Sequence, residues 1–546
     1  MRKLFALISV ALITGSLFAG GLVTNNNHSA MFTRTQNRNA STSIDAVFFN
    51  PAGLTKLGDG FFFSVNNQII SQTQKIINNY QFLNGTPKEY VGKVSAPIFP
   101  AAYAVFKVGK LALSAGFNPI GGGGGAKYSK GLPSFEMQVA DLVPMLSNQG
   151  ITTTQYSADI NFEGTSVYFG YQANASYEIN KMFSVAAGVR VVSAKNTYKG
   201  AMTNISINPN YPAFGDTYNG SMVRASDFFT SGAGVLTQLA AGASAFAGGL
   251  QAIITGGGGS VLLSDGANVG LSPEQIGQIQ QILGAAGLTP AQIGAQTIAS
   301  TEGVLTVAGP TFSGKAAAMS GYAAMTQDVH VDAEQTGIGY TPILSVNFSP
   351  IDNLNIALKY EFKTKLELTT KVKNNQGGGV FTDGTKVTAD LPAIIFFGVE
   401  YKPIQRLTLS GTFNYYFDKD VDYDGSSLVD INMIDKNFKE FGLGAEYAIT
   451  DDLRASAGWL SSNTGVNANY QSDMGYSTNA NSFGAGFGYR INKMIDLNLG
   501  GQYTFYASDS KTFNHMLGEL PIPVTETYKK STWLVGVGLD FYFGKK

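Results

Sequence analysis

The segment Trp533–Phe543 reads WLVGVGLDFYF. Its odd positions, Trp533, Val535, Val537, Leu539, Phe541 and Phe543, are all large and apolar, whereas Leu534, Gly536, Gly538, Asp540 and Tyr542 between them are mostly small or polar. A β-strand sends successive side chains to opposite faces, so a period of two predicts one greasy face and one tolerant face. Residues 441–449 repeat the pattern, with Phe441, Leu443, Ala445, Tyr447 and Ile449 set against Gly442, Gly444, Glu446 and Ala448. Residues 495–506 do so again, with Ile495, Leu497, Leu499, Tyr503 and Phe505 set against Asp496, Asn498, Gln502 and Thr504. Strands about 10 residues long with an apolar outer face are the signature of a transmembrane β-barrel.

The connections between such segments alternate in length. Tight turns fall near 108–110, 179–181, 350–353, 402–405, 450–452 and 491–493, and long connections at about 74–96, 121–161, 199–334, 371–390, 418–436, 463–480 and 509–529. Seven loops and six turns predict an all-β, fourteen-stranded antiparallel barrel with both chain ends on one side. Short inner turns and longer outer loops are the habit of bacterial outer-membrane barrels.

Composition bounds the function. The 546 residues include no cysteine, which excludes a disulfide scaffold, a thiolate metal site and a cysteine nucleophile. Charged residues make up 14% of the chain, against about 25% in an average soluble protein. The net charge of −1 supplies no basic surface for nucleic acid. With three histidines and no Ser-His-Asp spacing, and with His28, His330 and His515 placed outside the strands, no catalytic site, metal site or cofactor is expected, and the chain does not read as an enzyme.

Met1–Gly21 reads as a secretory signal peptide: Arg2 and Lys3 precede an apolar run to about Ala19, with cleavage after Ala19 or Gly21. Two regions do not fit a plain barrel. One lies before the first strand and ends in DAVFFNPAGLTKLGDG (45–60); the other is the connection at 199–334. Within the latter, Ser272-Pro273-Glu274-Gln275 and Thr289-Pro290-Ala291-Gln292 each place a hydroxyl at N-cap, Pro at N1 and Gln at N3, so each starts a helix. Ile276, Ile279, Ile282 and Leu283 then form one apolar stripe, and Gly232–Thr255 reads as a loop helix or Ala/Gly filler.

Four further features occur in a telling order. They are Asn50-Pro51-Ala52 before the first strand, Ala96-Pro97-Ile98-Phe99-Pro100 leading to Phe117-Asn118-Pro119-Ile120 and the run Gly121–Gly125, Asp390-Leu391-Pro392 opening a strand, and the aromatic end of the last strand. Together they resemble the FadL-type outer-membrane transporters of long-chain fatty acids and other hydrophobic compounds. The resemblance implies a hatch at 22–58 folded inside a barrel at 59–546, with Asn50, Pro51 and Ala52 as its motif. It also implies a lateral opening where the third strand kinks, at Phe117, Asn118, Pro119, Gly121 and Gly122. Proline in a strand removes a ladder bond and a glycine run offers no side chains to close a wall, so the residues themselves favour a breach there. The implied protein is a monomer set in outer-membrane lipid and lipopolysaccharide, passing a hydrophobic small molecule by passive diffusion. The alternatives are a water-filled porin and a structural or adhesive barrel.

On the seventh strand, Ile356, Leu358, Tyr360, Phe362, Leu366 and Leu368 read as outward, and Lys359, Glu361, Lys363, Lys365 and Glu367 as inward; Arg190 on the fifth strand also reads as inward. Lys365, Lys363 and Arg190 are therefore the candidates for holding a ligand carboxylate, Lys365 being the position most like the family's basic residue. The competing expectation is that these charges pair with Glu361 and Glu367.

Overall fold

The computed structural model describes residues 29–376, 381–421 and 431–544; the signal-peptide segment lies outside them. The alternating segments form eighteen strands in one sheet. They are β1 (Gly60–Asn78), β2 (Lys88–Val108), β3 (Leu111–Tyr128), β4 (Tyr156–Glu178), β5 (Phe183–Ile207), β6 (Val223–Arg224), β7 (Val329–Ile351), β8 (Leu354–Glu361) and β9 (Glu367–Gln376). They continue as β10 (Lys386–Thr388), β11 (Ile394–Ile404), β12 (Leu407–Tyr416), β13 (Lys439–Ala448), β14 (Leu453–Asn463), β15 (Ala480–Asn492), β16 (Ile495–Tyr506), β17 (Asp509–Leu517) and β18 (Leu520–Gly544).

The sheet closes because β1 pairs antiparallel with both β2 and β18. Closure leaves no free outermost strand, the condition for a β-structure in lipid. Fourteen strands make the wall. β8 and β9 are two halves of one wall strand, as are β10 and β11; β6 has two residues, and β17 pairs with the upper part of β18. All six expected tight turns are present. The strands run further into the loop regions than the apolar alternation does, so that β1 pairs with β18 as far as Asn78↔Glu526. Above the greasy belt both faces are polar, and the ladder continues without a sequence period to announce it. His330 and His515, expected in loops, stand on these extensions, in β7 and β17.

Exposed residues such as Phe61, Val65, Ile69, Leu443, Trp533 and Val537 give the wall an apolar exterior. So large a contiguous apolar surface marks a lipid-facing barrel. The alternate positions face inward, and there the glycines earn their number. A Cβ on Gly458 would stand 1.7 Å from the Thr35 carbonyl oxygen, and one on Gly398 would stand 2.6 Å from the Ala40 nitrogen. The wall is thus smooth where the N-terminal segment lies against it.

That segment is buried from residue 29 to residue 55, apart from the half-buried Thr42 and Ser43. Helix Ala30–Thr35 is capped by Ser29, whose hydroxyl accepts from Phe32 N–H, and is followed by the one-turn helix Ala46–Phe49 and the 3₁₀ helix Pro51–Lys56. Asp45 organises it: Arg38 donates to both carboxylate oxygens at 2.9 Å, and the Ser41 and Ser29 hydroxyls donate to them at 2.6 and 3.0 Å. Arg34 ties the helix to the wall through Glu446, Ser456 and Asn498. Gly458→Leu is expected to force the helix off the wall, at a cost of about 1–3 kcal/mol from overpacking. Limited proteolysis should then cut within residues 29–58 while the β-sheet circular dichroism persists; unchanged protection would disprove this contact.

A second compact unit comprises residues 139–159 and 203–328. Its helices Ala225–Ile253 and Ile298–Met325 run antiparallel, as the Phe229–Tyr322 ring contact at one end and the Ala299 N–H to Gly259 carbonyl bond at the other show. Both capping boxes form, at Ser272 with Gln275 and at Thr289 with Gln292, and Ile279, Ile282 and Leu283 are buried as the stripe requires. The helix Ile298–Met325 was not foreseen: it carries Pro310 in its interior, and its buried stripe of Leu305, Ala308, Phe312, Ala316 and Met319 is blurred by apolar residues on the exposed face such as Val307 and Ala317. Alanine propensity and packing against its partner form it instead.

Candidate functional site

The third wall strand departs from a regular ladder on both edges. Toward β4, its register slips by one residue between Pro119 and Gly121 and by one more between Gly121 and Gly124, so β3 carries two surplus residues there. Gly122 absorbs the kink at φ +94°, a conformation open to glycine, and a Cβ there would meet the Ser166 carbonyl at 2.3 Å. Toward β2, pairing holds from Val108↔Leu111 to Ala102↔Phe117 and resumes at Lys93↔Lys127 and Gly92↔Tyr128. Between these, residues 94–101 of β2 and 118–126 of β3 form no ladder with each other. Pro97 and Pro100 stand in the unpaired part of β2 without an N–H to offer, and Ile98 is 75% exposed.

Phe117 closes the paired part, its ring stacked on Phe169 at 5.6 Å. Asn118, Pro119 and Gly121 pair with Gly170, Phe169 and Tyr168 of β4, and Gly122 lies at the bulge. The unpaired stretch therefore lies between the second and third strands, with the segment Ala96–Pro100 on its other side.

A cavity of about 220 Å³ adjoins this unpaired stretch. Val94, Ala96 and Phe99 of β2 and Gly122, Ala126 and Tyr128 of β3 all line it. Its far side is built by β16 and β18, through Gln502, Tyr506, Lys530 and Thr532, and by the loop residues Met474–Thr478. Gln72 Nε2 donates to Thr532 Oγ1 at 2.9 Å, and Tyr128 OH to Gln74 Oε1 at 2.7 Å, so one side is a fixed polar lattice and the other is apolar. Asp473, just before the loop residues that line the cavity, accepts from Ser134 N–H at 2.8 Å, and burial raises its pKa.

The hatch motif does not line this cavity. Asn50 donates to Ser41 O at 3.0 Å and to Asn347 Oδ1 at 2.7 Å. Pro51 O accepts from the Ser176 hydroxyl and Ala52 O from the Ser184 hydroxyl. The motif spends its carbonyls on β4 and β5 and its side chain on β7, pinning the segment to the wall.

The basic residues expected to hold a head group are placed differently from one another. Arg190 does point inward, but it forms a bidentate pair with Glu361, both bonds 2.7 Å long, and donates to Gln172 Oε1 as well. Lys359 joins Glu361 at 2.8 Å and donates to Phe48 O at 2.6 Å. Phe48 of the hatch is thus held between Arg190, 4.9 Å from its ring, and Lys359, 4.3 Å away. Lys363 pairs with Asp390 at 3.1 Å.

Lys365 corrects the reading of the seventh strand: it is exposed, and Leu366 and Leu368 are buried in the interior cluster with Phe48, Val192 and Tyr168. The strand is broken between Glu361 and Glu367, where Thr364 bridges to Leu391 and Leu366 N–H binds Asp390 Oδ1. From Ile343↔Glu361 to Thr336↔Thr369, the wall strand takes one more residue than β7, and one extra residue exchanges the two faces. The Asp390-Leu391-Pro392 motif is the matching break on the neighbouring strand. Lys530, Tyr476 and Tyr506 were missed, although Lys530 stands at an even, inward position of the very strand whose alternation is clearest.

Among solved structures, a Pseudomonas aeruginosa FadL homologue matches with a TM-score of 0.56 at 12% identity, over 96% of this chain and 100% of that one. The barrel has the FadL-type fold. A TodX deltaS2S3 mutant, described as a monoaromatic hydrocarbon channel, is similar to this FadL-type barrel with a TM-score of 0.51 at 13% identity, over 94% of this chain and 99% of that one. No protein-family model and no curated protein sequence matches the chain.

Proposed function

We propose that the protein is a passive transporter of hydrophobic compounds in the outer membrane, with exit through the side of its barrel. The observation that carries this reading is the adjacency of the cavity to the unpaired stretch between residues 94–101 and 118–126. A buried segment, pinned by Asn50, Pro51 and Ala52, occupies the lumen, so a route down the axis is obstructed, whereas Phe117, Asn118, Pro119, Gly121 and Gly122 border a way out sideways. The apolar lips at Ile98 and Phe99 suit a ligand that is leaving water for lipid. The hydrocarbon channel that shares the fold supports a hydrophobic cargo. A head-group role for Arg190 or Lys363 would have to displace Glu361 or Asp390, and Lys365 lies on the wrong face for one.

The test is reconstitution into lipid vesicles. Entry of a hydrophobic fluorescent probe is expected to accelerate over protein-free vesicles, with no osmotic swelling in isotonic sugar. Swelling in sugar without faster probe entry would establish the water-filled porin instead.

A further inference from the structure

On the side of the long loops, the outward face of β18, β1, β2 and β3 sets lysines directly against one another. Ile69 on β1 and Trp533 on β18 belong to the exposed apolar belt. Beyond them the same face carries Ser71, Thr73 and Lys75 on β1, and Ser531 and Lys529 on β18. Lys75 and Lys529 are direct cross-strand partners. So are Lys93 of β2 and Lys127 of β3, in one of the two rungs that resume pairing past the unpaired stretch. Lys93, Lys127 and Lys529 are exposed, whereas their chain neighbours Val94, Tyr128 and Lys530 line the cavity, so these lysines stand on the outside of the wall. Residues directly opposite on one face have Cβ atoms about 5 Å apart, and like charges there repel.

Carboxylates answer this repulsion only in part. Glu89 pairs with Lys75 at 3.0 Å. Glu163 of β4 is the cross-strand partner of Lys127. Among the described residues, Lys93, Lys127 and Lys529 form no ion pair, with Glu163 or any other carboxylate. A phosphate between Lys93 and Lys127 would turn a repulsive pair into two charge-assisted contacts and steady the rungs that close the wall there.

We propose that this lysine face binds the phosphate groups of an anionic lipid of the surrounding bilayer, Lys93 and Lys127 sharing one phosphate. The occupant is a lipid because the lysines continue, on the same face of the same strands, the apolar belt that lies against lipid chains; clustered lysines at that border meet the head-group layer. The site is on the opposite face of the wall from the cavity, so it stands apart from the transport reading.

The test is native mass spectrometry of the full-length protein in nonionic detergent, titrated with dioleoyl phosphatidate or dioleoyl phosphatidylcholine. The wild type should bind phosphatidate about tenfold more tightly, the value of one charge-assisted contact. Lys93→Gln combined with Lys127→Gln should bring the two lipids within about twofold of each other. Lys93→Arg with Lys127→Arg should keep the preference, and Glu163→Gln should increase it. All of these change side chains on the outside of the wall, and heat-modifiable migration on gels checks that each variant folds. No preference in the wild type, an unchanged preference in the Gln pair, or an equal loss for both lipids would overturn the assignment. Inorganic phosphate alone should give no adduct that the Gln pair loses; such an adduct without a lipid preference would assign the lysines to the free anion and overturn the lipid.

Discussion

Deletion of Gly122 and Gly123 is expected to bring uptake of a hydrophobic probe down to that of protein-free vesicles while the barrel still folds. The register carries the argument. β3 pairs with β4 in one register up to Pro119 and in another, two residues displaced, from Gly124 onward. Removing two residues restores a single register, so the strand runs straight and its kink disappears. A straight β3 returns alongside residues 94–101 of β2, where pairing is now absent. Each recovered ladder bond is worth only about 1 kcal/mol net, but several in a row shut the breach. Heat-modifiable migration on gels checks the fold and vesicle uptake checks the route. Full uptake by a folded deletion variant would mean that the cargo leaves elsewhere.

The second large effect concerns the junction of hatch and wall. Glu361 is the single carboxylate shared by Arg190 and Lys359, and all three are at most 3% exposed. Glu361→Ala leaves two like charges buried together beside Phe48. Breaking such a pair from one side costs about 3–5 kcal/mol, because the remaining charge is uncompensated. The wall has its own closed ladder, so the weakness should appear in the hatch. Single-channel recording in planar bilayers should show ion conductance with frequent opening where the wild type is quiet. Glu361→Gln should be milder, because its amide oxygen still accepts from one partner. A quiet Glu361→Ala channel with an unchanged unfolding midpoint would show that the triad does not hold the hatch.

How much of this was legible in the sequence follows from which forces leave a periodic trace. Lipid outside and polar groups or glycine inside impose a strict period of two, so Trp533–Phe543 and the six turns were readable and the strand number followed from them. A break in a strand erases that information beyond it: Leu366 and Lys365 were assigned to opposite faces because one extra residue after Glu361 leaves no mark in composition. The disturbed pairing was foreseen only on the β3 side, since proline and glycine announce an irregular strand but not which neighbour it abandons. Lys530 is the converse case, for its parity was plain, but the cavity it lines is assembled from strands and a loop distant in sequence. The helix Ile298–Met325 was missed because its Thr297 cap lacks the Pro and Gln that mark the other two helix starts, and small residues all round dilute its apolar stripe.

On the transport reading, cargo that leaves through the unpaired stretch beside the exposed Ile98 passes into lipid, which makes the bilayer itself the receiving phase. Flux should then scale with a cargo's oil–water partition coefficient and fall away as the membrane fills. If passage is passive, as proposed, the traffic is reversible, so a loaded membrane should leak the same compounds back to the outside.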